Sequence, residues 1–96
     1  MSTDKSGWRG FLDTCLATHD PKLLSSILEL FLTAEEKDNL AMRYLIIKEL
    51  LLQKKTQREI AKDLNVSIAK ITRGSNELKR IHPKLLQFLQ EEVMKS

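Results

Sequence analysis

The chain has 96 residues, one cysteine and a formal charge of +3 at pH 7. That length makes one domain with a limited core of its own, for which sharing a core with a second copy is a natural remedy. A lone thiol excludes an internal disulfide. With no apolar run of about twenty residues and nothing like a secretory leader, the sequence reads as a cytoplasmic protein with no membrane partner.

The first seven residues, 1–7, are polar and read as a flexible arm, with one domain following over 8–96. Trp8, Phe11, Leu12, Cys15 and Leu16 then recur at i, i+3, i+4, i+7 and i+8, the apolar stripe of a first helix. Trp8 and Cys15 read as packing residues, since no second thiol or basic cluster accompanies them, and His19 as a solvated helix end. Asp20 before Pro21 is an N-cap with proline at the first helical position. The helix it opens carries Leu23, Leu24, Ile27, Leu28, Leu30, Phe31 and Leu32, apolar on nearly all sides, and needs a cover such as another subunit.

Thr33 with Glu36 has the spacing of a capping box, in which a hydroxyl and a carboxylate satisfy each other's backbone N–H groups. A long third helix follows through Leu40, Tyr44, Ile47 and Leu51 to about Gln53, and Lys54 and Lys55 make the next connection. Arg43 stands beside its apolar face. By composition alone it is an exposed arginine or one paired with Glu36 or Asp38.

The stretch from Thr56 to Arg80 holds two short helical patterns around a tight break. Thr56 and Glu59 form another capping box, Ile60 and Leu64 share a face, and Ala61 lets a second helix cross closely. Asn65 tolerates the left-handed conformation that ends a helix, and Ser67 caps a second one whose inward face carries Ile68, Ile71 and Leu78. The pattern is a helix-turn-helix head over about 56–80. Residues 54–82 hold eight Lys or Arg against three Asp or Glu, a local +5 against −2 for the remainder, so positive charge collects where a nucleic acid would sit. Gly74 takes a position where the period asks for an apolar residue, at a cost of about 1 kcal/mol in helix propensity. Either a ligand approaches that bare backbone beside Arg73, or another helix crosses there. Pro83 then opens a last helix with Leu85, Leu86, Phe88, Leu89 and Val93 on its core face, giving an all-α chain of six helices.

The run ITRGSN (Ile71 to Asn76), preceded by QREIA (Gln57 to Ala61) and VSIA (Val66 to Ala69), resembles the reading head of the Trp repressor family. Leu30, Leu32 and Thr33 in ELFLTAEE and Arg43 in MRYLIIKELL fall at that family's spacing, and the similarity runs from Trp8 to the C-terminus. The resemblance implies an intertwined homodimer that binds double-stranded operator DNA with L-tryptophan as corepressor, and a role in controlling genes of tryptophan biosynthesis or uptake. It implies a tryptophan site from Leu30, Leu32, Thr33, Arg43, Ile47, Arg73, Gly74 and Glu77. The indole would stack between Arg43 and Arg73 with Gly74 making room for the ring. Its carboxylate would meet arginine and the Thr33 hydroxyl, and its ammonium the carbonyls of Leu30 and Leu32 from the second copy. A guanidinium stacks well on an aromatic face, and carbonyls at a helix end favour a cation.

The same resemblance implies DNA contacts from Gln57, Arg58, Ser67, Ile68, Ala69, Lys70, Thr72 and Lys79, with the N-terminal end of the second head helix in the major groove. Largely water-mediated base contact is a known property of this family, and the small or apolar Ile68 and Ala69 suit it. Two positions depart from the family pattern. Glu77 stands where a serine often contacts the ligand's amino group, and Lys70 where a threonine often faces DNA. A helix-turn-helix protein with another ligand or none would share Thr56 to Arg80 without needing Thr33 and Arg43 at their spacing. A protein-interaction module would explain the apolar second helix but not the basic head. No nucleophile or metal arrangement surrounds Cys15 or the two histidines, so neither an enzyme nor a metal site is expected.

Overall fold

The computed structural model describes residues 3–95, which form six α-helices and, among the described residues, no strand. They are α1 (Thr3–Leu16), α2 (Pro21–Phe31), α3 (Ala34–Leu52), α4 (Gln57–Leu64), α5 (Ile68–Leu78) and α6 (Pro83–Lys95). The helix starts follow the capping chemistry. Asp20 Oδ1 accepts from the Lys22 N–H at 3.0 Å, with Pro21 at the first helical position. At α3 the Thr33 hydroxyl oxygen accepts from the Glu36 N–H at 3.1 Å while the Glu36 carboxylate accepts from the Thr33 N–H at 2.8 Å. Thr56 and Glu59 repeat the arrangement at α4 with the same two distances, 3.1 and 2.8 Å. Asn65 ends α4 in the left-handed region at φ 55° and ψ 50°.

The first helix starts earlier than its apolar stripe. Residues 3–7, assigned above to a flexible arm, are helical, while Met1 and Ser2 lie outside the described residues. Lys5, Ser6 and Gly7 are exposed, so this turn needs no apolar residue, and extending an existing helix adds a hydrogen bond for each residue fixed.

The chain divides into two compact units, Met1–Asp38 and Asn39–Ser96, with the division inside α3. In the first, Phe11 of α1 meets Phe31 of α2 edge-on at 5.6 Å and stacks with Trp8 at 5.8 Å, both geometries that suit the ring quadrupole. No residue of α2 is fully buried, and Leu30 is 78% exposed. Among the described residues nothing fully covers the apolar face of this helix.

In the second unit Ile46 of α3, Ile60 of α4 and Ile71 of α5 form a buried centre, with Met42, Leu50, Ala61, Leu64 and Val66 packed around it. The face of α3 used here is Met42, Ile46 and Leu50. Leu40 and Tyr44, named above among the apolar positions of this helix, are exposed. Four-residue spacing runs through both sets, so periodicity on this helix does not select between them; the position of α4 and α5 does. Ile68 likewise leaves the inward face expected for it and is 46% exposed, while Ile71 is buried and Leu78 partly so.

The connection from α3 to α4 is braced. Gln53 takes φ 55°, and Lys55 Nζ lies 2.8 Å from Asp63 Oδ2 on α4 and 3.7 Å from Glu49 Oε1 on α3. The hydrogen bond to Asp63, helped by the charges of Asp63 and Glu49 and opposed by desolvation, holds the Lys55 ammonium above its ordinary pKa. His82, which the sequence reading left without a role, caps α6: its Nδ1 accepts from the Lys84 N–H at 3.0 Å.

Candidate functional site

A groove of about 380 Å³ opens between α3 and α5, within the range of small-molecule sites. Asn39, Met42, Arg43, Ile46 and Ile47 line it from α3, and Lys70, Arg73, Gly74 and Glu77 from α5. Both sets follow from helical geometry. Residues at i, i+3, i+4 and i+7 share a face, so Lys70, Arg73, Gly74 and Glu77 form one stripe, and Asn39, Met42, Arg43, Ile46 and Ile47 another.

Gly74 brings the backbone of α5 close to side chains of α3. A Cβ built there would lie 3.1 Å from Ile46 Cγ2, 3.4 Å from Leu50 Cδ1 and 3.7 Å from Ile47 Cδ1. The space left by the missing side chain is thus taken by α3, which is the helix-crossing reading. Gly74 also lines the groove, and by letting α5 settle on α3 it sets the spacing between Arg43 and Arg73.

The groove joins an apolar floor of Met42, Ile46 and Ile47 to charged walls. Arg43, Lys70 and Arg73 make no ion pair among the described residues. Glu77 is the one acid in the lining, and its carboxylate lies 3.9 Å from Arg80 in the turn just past the end of α5. Such a surface fits a flat apolar body that carries an anionic group, with one acid to receive a cation.

Leu30, Leu32 and Thr33 belong to the first unit and are not among the residues lining this groove. Leu30 lies in the last turn of α2, where carbonyls have no intrahelical partner, and Leu32 is the extended C-cap residue. The Thr33 hydroxyl accepts the Glu36 N–H through its oxygen, which leaves its own proton to donate elsewhere.

On the head, Ser67 Oγ caps α5 by accepting from the Lys70 N–H at 3.3 Å, and Ile68, Ala69 and Lys70 are exposed at that helix start. The Thr72 hydroxyl donates to Gln57 Oε1 at 2.9 Å, tying α5 to the start of α4. That bond uses the acceptor of the Gln57 amide and leaves its NH₂ as a donor. Arg58, Thr72 and Lys79 are exposed. Lys70, sorted above with the reading surface, also lines the groove. The sequence reading did not name Asn39, Met42 and Ile46 as lining residues. Their spacing around Arg43 at i−4, i−1 and i+3 is the signal that identifies them once α5 is known to cross there.

The family described as Trp repressor protein matches residues 6–93. The chain belongs to the Trp repressor family. That family consists of transcription regulators, not enzymes. A Trp operon repressor homolog of Chlamydia trachomatis serovar D is 47% identical over 90 residues, covering 94% of this chain and 96% of the relative. That of Chlamydia caviae is 46% identical over 89 residues, covering 93% and 88%. A Trp operon repressor homolog of Haemophilus influenzae strain Rd is 33% identical over 93 residues, covering 97% and 92%. The Trp repressor match takes in both units of the fold and every residue of the groove.

Proposed function

We propose that this member of the Trp repressor family is a homodimeric, cytoplasmic, sequence-specific DNA-binding repressor that takes L-tryptophan as corepressor and controls genes of tryptophan supply. The observation that carries this reading is the groove itself, which sets Arg43 and Arg73 in one lining with an apolar floor on the inner side of the helix-turn-helix. An indole lies on the floor of Met42, Ile46 and Ile47 with a guanidinium against its face, a contact worth about 0.5–2 kcal/mol. Its carboxylate pairs with arginine. A second copy contributes the Leu30 and Leu32 carbonyls and the Thr33 hydroxyl to the mouth of the groove, and covers the apolar side chains that α1, α2, α3 and α6 leave exposed.

On DNA the start of α5 enters the major groove. Exposed Ile68 suits a thymine methyl group, and the Gln57 NH₂, aimed by Thr72, suits a phosphate oxygen, with Arg58 and Lys79 adding charge and Ser67 and Ala69 fitting close to the duplex. Tryptophan acts because its groove is built on α5: it favours the head orientations in which both walls contact it, and it shifts DNA affinity by its difference in affinity between orientations. Calorimetric titration with L-tryptophan tests the site. Wild type binds, and Arg43→Ala binds at least about tenfold more weakly from lost stacking and charge. Equal affinity of the two proteins would remove Arg43 from the site.

A further inference from the structure

Resting on the reading of the head as a DNA-binding element, we infer that the corner between α5 and α6 makes a second contact with the DNA backbone, outside the helix-turn-helix, in which Arg80 and Lys84 hold phosphates at the rim of the major groove. Residues 78–90 contain Lys79, Arg80 and Lys84 and no Asp or Glu, so nothing in this stretch offsets its three positive charges. All three side chains are exposed. Lys79 and Lys84 make no ion pair among the described residues. Arg80 approaches Glu77 only to 3.9 Å, with both side chains more than half exposed, a pairing that solvent screens.

The corner holds these charges on a fixed backbone. The Arg80 N–H donates to the Glu77 carbonyl at 3.0 Å, and the Leu85 and Leu86 N–H groups donate to the His82 carbonyl at 2.9 and 3.1 Å. His82 Nδ1 accepts from the Lys84 N–H at 3.0 Å, and Ile81 is half-buried. Only side-chain freedom is then lost when Arg80 and Lys84 meet an anion. Lys84 gains nothing from its own helix. It stands in the first turn of α6, which has no acid, and a cation there opposes the helix dipole. A phosphate beside it turns that repulsion into attraction.

The length of α5 says where the corner lies on a duplex. Eleven residues make a helix of about 16 Å. With its start in a major groove about 12 Å wide and 8.5 Å deep, the far end of α5 stands at the rim, where the phosphates are. Lys79, placed on DNA in the proposed function, marks that rim, and Arg80 and Lys84 continue its positive surface past the end of the helix. Such contacts fix the register of the protein on DNA and add affinity without reading sequence.

The experiment measures log K against log salt, in saturating L-tryptophan, for a duplex that the full chain selects from a random pool. Wild type is compared with Arg80→Ala, Lys84→Ala and Arg80→Lys, and with Lys22→Ala on α2 as a charge control. Each alanine variant of the corner loses one contact per head, two per dimer, and its slope becomes shallower by about 1.8. Arg80→Lys and Lys22→Ala keep the wild-type slope, and sequence preference is the same throughout. Single methylphosphonate substitutions along the duplex then locate the contact, weakening wild type at a phosphate to which Arg80→Ala is indifferent. An unchanged slope in either alanine variant of the corner overturns the inference. So does a shallower slope with the wild-type methylphosphonate profile, which is attraction at a distance, or a Lys22→Ala slope as shallow as theirs. A wild-type protein that selects no duplex would instead overturn the DNA-binding reading on which the inference rests.

Discussion

Helices α2 and α5 have the same length, eleven residues each, and both open on a capping side chain, Asp20 in one and Ser67 in the other. They dispose of their apolar side chains in opposite ways. In α5 the buried contact is concentrated at Ile71, which closes on Ile46 and Ile60, while Lys70, Thr72 and Arg73 stay exposed. In α2 leucine, isoleucine and phenylalanine crowd one broad face, with Lys22, Ser25, Ser26 and Glu29 on the other, and none is fully buried. The head closes its core on α3 of the same chain, through Met42, Ile46 and Leu50. The α1–α2 hairpin brings Trp8, Phe11 and Phe31 into ring contact and half-buries Leu24, Ile27 and Leu28, leaving Leu23, Leu30 and Phe31 exposed, a surface that a second copy covers in the proposed dimer.

The hardest way to break the comparison is at the head's centre. Ile71→Ala removes a side chain with no exposed surface and destabilises the head by about 2–5 kcal/mol, seen as a lower denaturant midpoint and lost DNA binding. Leu23→Asp tests the other half. On an isolated chain a surface change at this exposed position costs within about 0.5 kcal/mol. With a second copy covering α2, lost burial and a buried carboxylate cost about 2–4 kcal/mol in each copy. Sedimentation then shows dissociation at micromolar concentration, whereas wild type stays dimeric at that concentration.

Gly74→Val sharpens the comparison at the groove. Its Cβ alone meets Ile46 at 3.1 Å, and the two further methyl groups overpack the α3–α5 crossing by about 1–3 kcal/mol. Thermal unfolding and tryptophan titration both register it, because α5 moves off α3 and the two arginine walls part. The smallest effect is expected at Lys55. Its pKa is raised on folding, so its pairing with Asp63 and Glu49 stabilises the protein fully below the ordinary lysine value of 10.5 and fades as pH climbs past the raised value. Thermal melts of wild type and Lys55→Met should therefore differ at neutral pH and converge above that range.

What the sequence made legible is what local chemistry decides. Both threonine capping boxes, the Asp20–Pro21 start, the Ser67 cap and the left-handed Asn65 each depend on residues within a turn of one another, and all are in place. What it hid depends on packing. The spacing of α3 allowed two core faces, and only the seating of α4 and α5 selects Met42, Ile46 and Leu50. Gly74 could serve a ligand or a crossing helix, and the nearness of Ile46 shows the crossing. Lys70 belongs by sequence to the reading end of α5, yet its place one turn before Gly74 brings it into the groove as well. The polar start of α1 and the His82 cap were missed because a solvated turn has no apolar signature and histidine is a rare cap.

The central claim is that tryptophan, bound between α3 and α5, governs the hold of this head on DNA. It is tested most directly by selecting a duplex from a random pool with the protein in saturating L-tryptophan, then measuring affinity for that duplex at fixed salt with and without the amino acid. The account predicts binding at least about tenfold tighter with tryptophan, a coupling within the usual 1–3 kcal/mol. It also predicts that Arg43→Ala shows no such gain at the same tryptophan concentration. Identical wild-type affinity with and without tryptophan would contradict it.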